Sequence, residues 1–260
     1  MTEPSTFEAI APKPVTYSPG TFVWHEMRTT EVAKAQAFYG ALFGWTFKRS
    51  EMVEIEYHLV HLGDKPIAGM FNSTGHEMPP HWGSFISVPD VDAAAEATTA
   101  AGGQVCNGPE DIPGVGRFVM ISDPQGAFVA LYRNANGDPE ATMAQEGEFC
   151  WDQLNTADMA AGAAFYQKVV GWTYVEAGPD MGIFKFGPSL EASCGTVPPG
   201  IPPHWLTFLS VANLAETAKR AESLGAKVLM ANMAAGEWGQ FSVIQDPAGA
   251  VIALFQGKAQ

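Results

Sequence analysis

Slid against itself, the 260-residue chain matches its first half to its second. Trp24 recurs as Trp151, Phe38-Tyr39 as Phe165-Tyr166 and Gly44-Trp45 as Gly171-Trp172, each 127 residues later. Farther on, Pro80-His81-Trp82 recurs as Pro203-His204-Trp205, Gly102 as Gly225, and Asp123-Pro124-Gln125-Gly126-Ala127 as Asp246-Pro247-Ala248-Gly249-Ala250, now 123 residues later. The offset changes in the middle of each half, as a variable loop in two copies of one domain would make it do. A period this long excludes a solenoid and implies tandem domains. The expected layout is an extended, proline-containing arm over residues 1–20, a first domain over 21–133, a polar linker over 134–147 and a second domain over 148–257.

Each half reads the same way. Residues 22–28 alternate like a strand, and Thr29 or Thr30 can cap the segment that follows. Ala35, Phe38, Tyr39 and Leu42 then fall on one face of a helix that Gly44 stops. Short strands follow at 45–49, 57–62 and 67–71. The next unit predicts a strand over 82–88, a helix over 91–101 ended by Gly102-Gly103, and strands near 104–106, 117–122 and 128–132. The second half repeats the series, with helices over 158–170 and 214–224 and final strands over 241–245 and 251–255. The chain is thus four βαβββ units, an α+β protein.

Charge narrows the partners. Fourteen Lys and Arg against 28 Asp and Glu give a net charge of −14, which repels phosphate backbones and anionic bilayers, so neither nucleic acid nor membrane is expected. No apolar run approaches the roughly 18 residues of a membrane crossing, and residues 1–20 lack a secretory pattern, so a cytoplasmic location is expected. Cys106, Cys150 and Cys194 stand apart, as reduced thiols do.

The series Trp24, Glu31, Phe38-Tyr39, Gly44-Trp45, Val88-Pro89-Asp90, Gly102-Gly103, Asp111 to Arg117 and Asp123-Pro124-Gln125-Gly126 resembles the vicinal oxygen chelate superfamily, which holds glyoxalase I, extradiol dioxygenases, and fosfomycin- and bleomycin-resistance proteins. The chain is most similar to its bacterial tandem-domain glyoxalase-like members, over residues 21–256. The resemblance implies paired units whose sheets curve into a cup, with helices outside and ligand within. It also implies three metal-bearing positions per cup. These fall on Trp24, Gly83 and Ala130 in the first domain and on Trp151, Leu206 and Ala253 in the second. None offers a lone pair to a metal. No metal and no cofactor are therefore expected.

Other histidines do not replace the missing set. His58 and His61 are three apart on a strand and point to opposite faces; His25 falls on the helix-packed side with Val23 and Met27; His76 lies in a loop without a partner. His81 and His204 recur at strand starts, which favours a bond to backbone over a ligand role.

With Trp24 facing the cup, as the resemblance implies, period-2 alternation places Glu26 and Arg28 there too, and likewise Phe85, Ser87 and Tyr132, with Phe128 on the same strand face as Tyr132. The second cup receives Trp151, Gln153, Asn155, Phe208 and Ser210, with Val251 and Phe255. Aromatic walls with a few polar groups suit a small, aromatic or apolar ligand. Glu26, if desolvated, could act as a general base, or it could pair with Arg28 and only brace the wall. Arg117 could meet an anionic ligand or form a salt bridge at the strand edge. Three functions stay open: a metal-free binding protein of bleomycin-resistance type, a metal-dependent glyoxalase-type lyase or isomerase or a dioxygenase, and an interaction protein that uses its surface. The tandem copies predict a pseudo-dimeric monomer, or a weak homodimer.

Overall fold

The computed structural model describes residues 15–51, 55–75, 78–197 and 200–258. Most of the expected arm, and His76, lie outside the described residues. The first unit runs β1 (Phe22–Thr29), α1 (Val32–Phe43), β2 (Thr46–Arg49), β3 (Tyr57–Leu62) and β4 (Lys65–Asn72). The second runs β5 (His81–Ser87), α2 (Val91–Ala100), β6 (Gln104–Ile112), β7 (Gly116–Ser122) and β8 (Phe128–Asn134). The third has β9 (Phe149–Thr156), α3 (Met159–Val169), β10 (Thr173–Gly178), β11 (Met181–Phe186) and β12 (Ser189–Thr196). The fourth has β13 (His204–Ser210), α4 (Leu214–Ser223), β14 (Lys227–Ala234), β15 (Gly239–Gln245) and β16 (Val251–Gly257). No described helix is long and apolar enough to cross a membrane.

Each pair of units makes one eight-stranded sheet, ordered β2-β3-β4-β1-β5-β8-β7-β6 in the first domain and β10-β11-β12-β9-β13-β16-β15-β14 in the second. The units meet where β1 runs antiparallel to β5, and β9 to β13. Those four strands are central, so they carry the residues at the middle of each cup.

Three helices are capped as their sequences dictate: Asp90, Asp158 and Asn213 accept from the backbone N–H three residues on. The first helix departs from expectation. Its cap position is Glu31, whose side chain makes no capping bond, while the Thr29 hydroxyl accepts from the Glu31 N–H at 3.0 Å. Thr29 therefore stabilises the turn before the helix rather than its first turn. At the other end Gly44 sits at φ 72°, a left-handed conformation open to glycine at little steric cost, and returns its N–H to Gly40.

The repeated motifs turn out to join the domains. One core combines α1 and β1 with Leu209, Leu214, Ile244 and Ile252 of the fourth unit, and the other combines the second unit with the third. Trp82 Nε1 donates to the Tyr39 hydroxyl at 2.9 Å, and Tyr39 donates to Asp246 of the opposite domain at 2.9 Å. In the mirrored place Trp205 Nε1 donates to Tyr166, which lies beside Asp123. Likewise Trp45 Nε1 reaches the Gly147 carbonyl and Trp172 Nε1 the Gly20 carbonyl, at 2.9 and 2.8 Å. Each domain thus supplies partners for the other's buried donors, which would otherwise be left unsatisfied.

Near the pseudo-two-fold axis the two copies differ. His25 Nε2 meets Asp152 Oδ2 at 3.0 Å, although the two residues hold equivalent positions in their domains. Ser84 and Thr207, also equivalent, both donate to Asp152 Oδ1, at 2.5 and 3.1 Å. Phe149 stacks on the His25 ring at 4.1 Å. A strictly repeated residue here would set His against His or Asp against Asp, and like groups in a buried site cannot satisfy one another.

Candidate ligand site

The alternation expected for β1 holds. Met27 is buried in the core with α1 and His25 is buried at the domain contact against Asp152 and Phe149, while Trp24, Glu26 and Arg28 share the opposite face. Register fixes their neighbours: Trp24 pairs with Phe85, Glu26 with Gly83 on one side and Gly69 on the other, and Arg28 with His81 and Phe71. The wall therefore has an aromatic end at Trp24, Phe85 and Tyr132 and a polar end at Glu26, Arg28 and His81. Arg28 stands four positions along β1 from Trp24, a rise of about 13 Å, with Glu26 midway between them.

The polar end is knitted through a residue that sequence reasoning did not place in the site. Tyr57 lies across Gly69, where any side chain would collide with its ring and hydroxyl. That hydroxyl accepts from Trp24 Nε1 at 3.2 Å and also bonds Glu26. Tyr57 pairs with Phe71 and its ring reaches diagonally over Gly69, the partner of Leu59, so the signal was an aromatic residue near a glycine one pair farther along the adjacent strand. Burial pushes the Glu26 carboxyl above its ordinary value, against the lowering effects of Arg28 and Tyr57. Arg28 approaches Glu26 only to 3.9 Å and lies over the Phe71 ring at 5.0 Å. Neither contact is a charge-assisted hydrogen bond, and Arg28 is the more exposed partner, at 25 % against 13 %.

His81 Nδ1 lies 2.8 Å from the Pro79 carbonyl, which assigns it the proton and leaves Nε2 with a lone pair. His204 repeats this bond with Pro202 at 2.9 Å. Burial pushes the His81 imidazole down, and the Arg28 charge adds to that effect against the Pro79 bond. Ser87 is fully buried and gives its hydroxyl to Asp138 at 2.6 Å. Phe128 stands at the exposed rim of its strand. Arg117 lies away from the cup wall, held by Asp92 and Asp111 at 2.8 and 3.0 Å.

The second cup is chemically closed. Trp151 Nε1 donates to Ser193, Ser193 to Gln153, and Gln153 Nε2 to Asn155, at 2.9, 3.1 and 2.7 Å. Asn155 Nδ2 then lies 3.5 Å from His204 Nε2. The aromatic end is packed: Phe208 is 4 % exposed and Leu206 7 %, in a cluster with Trp151, Phe241, Phe255 and Val251. Ser210 sits at the end of β13, where its backbone bonds Gly147 and Glu148.

The contrast centres on one position. Leu206 fills the floor of the second cup, and its counterpart in the first is Gly83. A side-chain carbon added at Gly83 would meet, within 4 Å, only the Glu26 backbone oxygen at 3.8 Å. The floor of the first cup is open between its aromatic and polar ends. A cavity of about 200 Å³ is lined by Phe22 to His25, Trp24 among them, with Pro66, Ile67 and residues of the linker.

The residues present do not fit the metal that the fold implies. Trp24, Gly83 and Ala130, and Trp151, Leu206 and Ala253, supply no ligating atom at the implied positions. Among the described residues no three His, Cys, Asp or Glu side chains come together in a way that could hold an ion.

Comparison with known proteins agrees with this architecture. Residues 21–131 match the model of the Glyoxalase/Bleomycin resistance protein/Dioxygenase superfamily, and residues 148–255 match a glyoxalase-like domain. CFP32 of Mycobacterium tuberculosis, provisionally named a glyoxylase, is 33 % identical over 96 % of this chain and 99 % of its own. The anthracycline biosynthesis protein DauV of Streptomyces sp. is 27 % identical over 82 % of this chain and 84 % of its own. In fold, the chain is similar to 2,2',3-trihydroxybiphenyl 1,2-dioxygenase of Sphingomonas wittichii, with a TM-score of 0.63, 17 % identity and coverage of 92 % and 91 %. A Mn(II)-bound glyoxalase of Novosphingobium aromaticivorans gives 0.62 at 15 % identity, covering 92 % of this chain and 82 % of that one. Matched across almost its whole length by a relative one-third identical and in both halves by family models, the chain belongs to the glyoxalase/bleomycin resistance/dioxygenase superfamily.

Proposed function

We propose that this protein binds a small aromatic or apolar molecule in the first cup, without a metal ion, and that the second cup serves as scaffold. The observation that carries the reading is the open floor at Gly83, beside Glu26 and the paired Trp24 and Phe85, against the Leu206-filled floor of the second domain. Trp24 and Phe85 are half-buried beside that space, and aromatic faces next to unfilled space are the usual surroundings of a small ligand. The name of DauV, a protein of anthracycline biosynthesis, is in keeping with an aromatic ligand.

Gly83→Leu tests the reading, because the fold already accommodates leucine at the equivalent position of the second domain. Naphthalene-based probes, followed by tryptophan fluorescence and melting temperature, should bind the natural chain and not the variant, while the variant's own melting curve stays cooperative. A ligand at a hundred times its Kd raises stability by about 2.7 kcal/mol, well within reach of a melting assay. Binding that survives Gly83→Leu, or stoichiometric metal in protein purified without chelator, would overturn the proposal.

A further inference from the structure

We infer that the ligand of the first cup is an anionic aromatic, a ring system against Trp24 and Phe85 whose acidic oxygen is paired with Arg28. The inference rests on the reading of the first cup given above and adds the charge and orientation of what it holds.

Three observations carry it. The first is Arg28 itself. A guanidinium presents five N–H donors in a planar fork suited to a carboxylate, yet among the described residues this one meets an ion partner only at 3.9 Å, beyond hydrogen-bond distance, and a ring face. Glu26, the partner, is the more buried of the two and is engaged by Tyr57, so its carboxyl is turned into the wall while the arginine is left toward the mouth.

The second is the neighbouring histidine. His81 spends its proton on Pro79 and presents no N–H at Nε2, so it does not compete with Arg28 as a donor at that end of the cup. The third is the equivalent corner of the second domain. There Arg28 is replaced by Asn155 and Glu26 by Gln153, and both amides are consumed in a chain running from Trp151 toward His204. The same backbone thus carries a neutral, self-bonded corner in one domain and, in the other, a charged one whose partly exposed guanidinium makes only a 3.9 Å ion contact and a ring contact. The charged corner lies beside the open floor.

Binding of three probes of one ring size decides the matter at neutral pH: 2-naphthoate, 2-naphthamide and 2-naphthylmethylammonium. The natural chain should prefer the naphthoate to the amide by about tenfold, as expected for one charge-assisted pair, and the ammonium should bind weakest. Arg28→Asn, which installs the residue of the second domain, should abolish the preference, lowering naphthoate affinity about tenfold more than amide affinity, while the melting curve stays cooperative. Equal affinities for naphthoate and amide, preference for the ammonium, or a naphthoate preference that persists in Arg28→Asn would overturn the assignment of an anion while leaving the cup reading intact. Failure of all three probes to bind in a way that Gly83→Leu can block would bring down both.

Discussion

The two domains share their Tyr and Trp anchors on the faces that meet, and on the faces that look away they keep Trp24, Phe85 and His81 but differ at the positions that set polarity and space. Trp82 and Trp205 make mirrored bonds to Tyr39 and Tyr166 within their domains, Tyr39 passes its bond on to Asp246 of the other domain, and Trp45 and Trp172 reach the mirrored carbonyls of Gly147 and Gly20. On the cup side, Glu26 faces the counterpart Gln153, Arg28 is matched by Asn155, Gly83 by Leu206 and Gly69 by Ser193. The difference has a physical cause. A buried donor at the contact needs an acceptor from the other copy, so change on one side strands a polar group on the other. A cup wall is bounded on one side by solvent or ligand, and each copy can change alone. The axis is the exception that supports the argument, because His25 and Asp152 differ where identical residues would face each other.

Breaking the axis should have the largest effect. Asp152→Ala leaves His25, Ser84 and Thr207 without their common acceptor in a buried site, and loss of one partner from such a cluster costs about 3–5 kcal/mol. Urea denaturation should show that fall; a change under about 1 kcal/mol would mean that the cluster behaves like a solvated surface pair.

The cup comparison can be sharpened by converting one cup into the other. Leu206→Ala removes a buried side chain and should destabilise by about 2–5 kcal/mol, and it should also open the second floor to neutral aromatic probes. Because Gln153 and Asn155 replace the charged pair, this new site should show no preference for an anion. Destabilisation with no second binding event would show that Phe208 and Phe241 close over the gap.

The smallest expected effect concerns pH. Glu26 is held above its ordinary value of 4.5 by burial, so the neutral carboxyl is favoured by folding. Its contribution to stability is present below that ordinary value and is lost as pH rises through the higher value of the folded state. The stability of the natural chain relative to Glu26→Gln should therefore decline from acid to neutral pH. A difference that grows with pH would place Arg28 and Tyr57, rather than burial, in control of this carboxyl.

Much of the chain could be read from residue order. The repeat and the βαβββ units follow from periodicity along the chain, and the absence of ligating atoms at Trp24, Gly83 and Ala130 follows from residue identity at the positions that the family resemblance marks. The backbone bond of His81 was also legible, since the same turn occurs twice. Thr29 was misplaced as a helix cap because two hydroxyls and a glutamate competed for the same few positions, and local chemistry alone does not rank them. Tyr57 was missed because its place depends on Gly69, a residue on the adjacent strand.

What the sequence determined by itself was therefore the pair of domains, their shared topology and the chemistry that each strand could present, all of which depend on near neighbours and on a period of two or of 3.6. Only the tertiary structure decided that the repeated tryptophans and tyrosines bind one domain to the other, that His25 finds Asp152, and that the space above Gly83 stays unfilled. Those are properties of several segments at once. A void is defined by every side chain that fails to reach it, and a buried pair by two positions that approach only when the sheets pack.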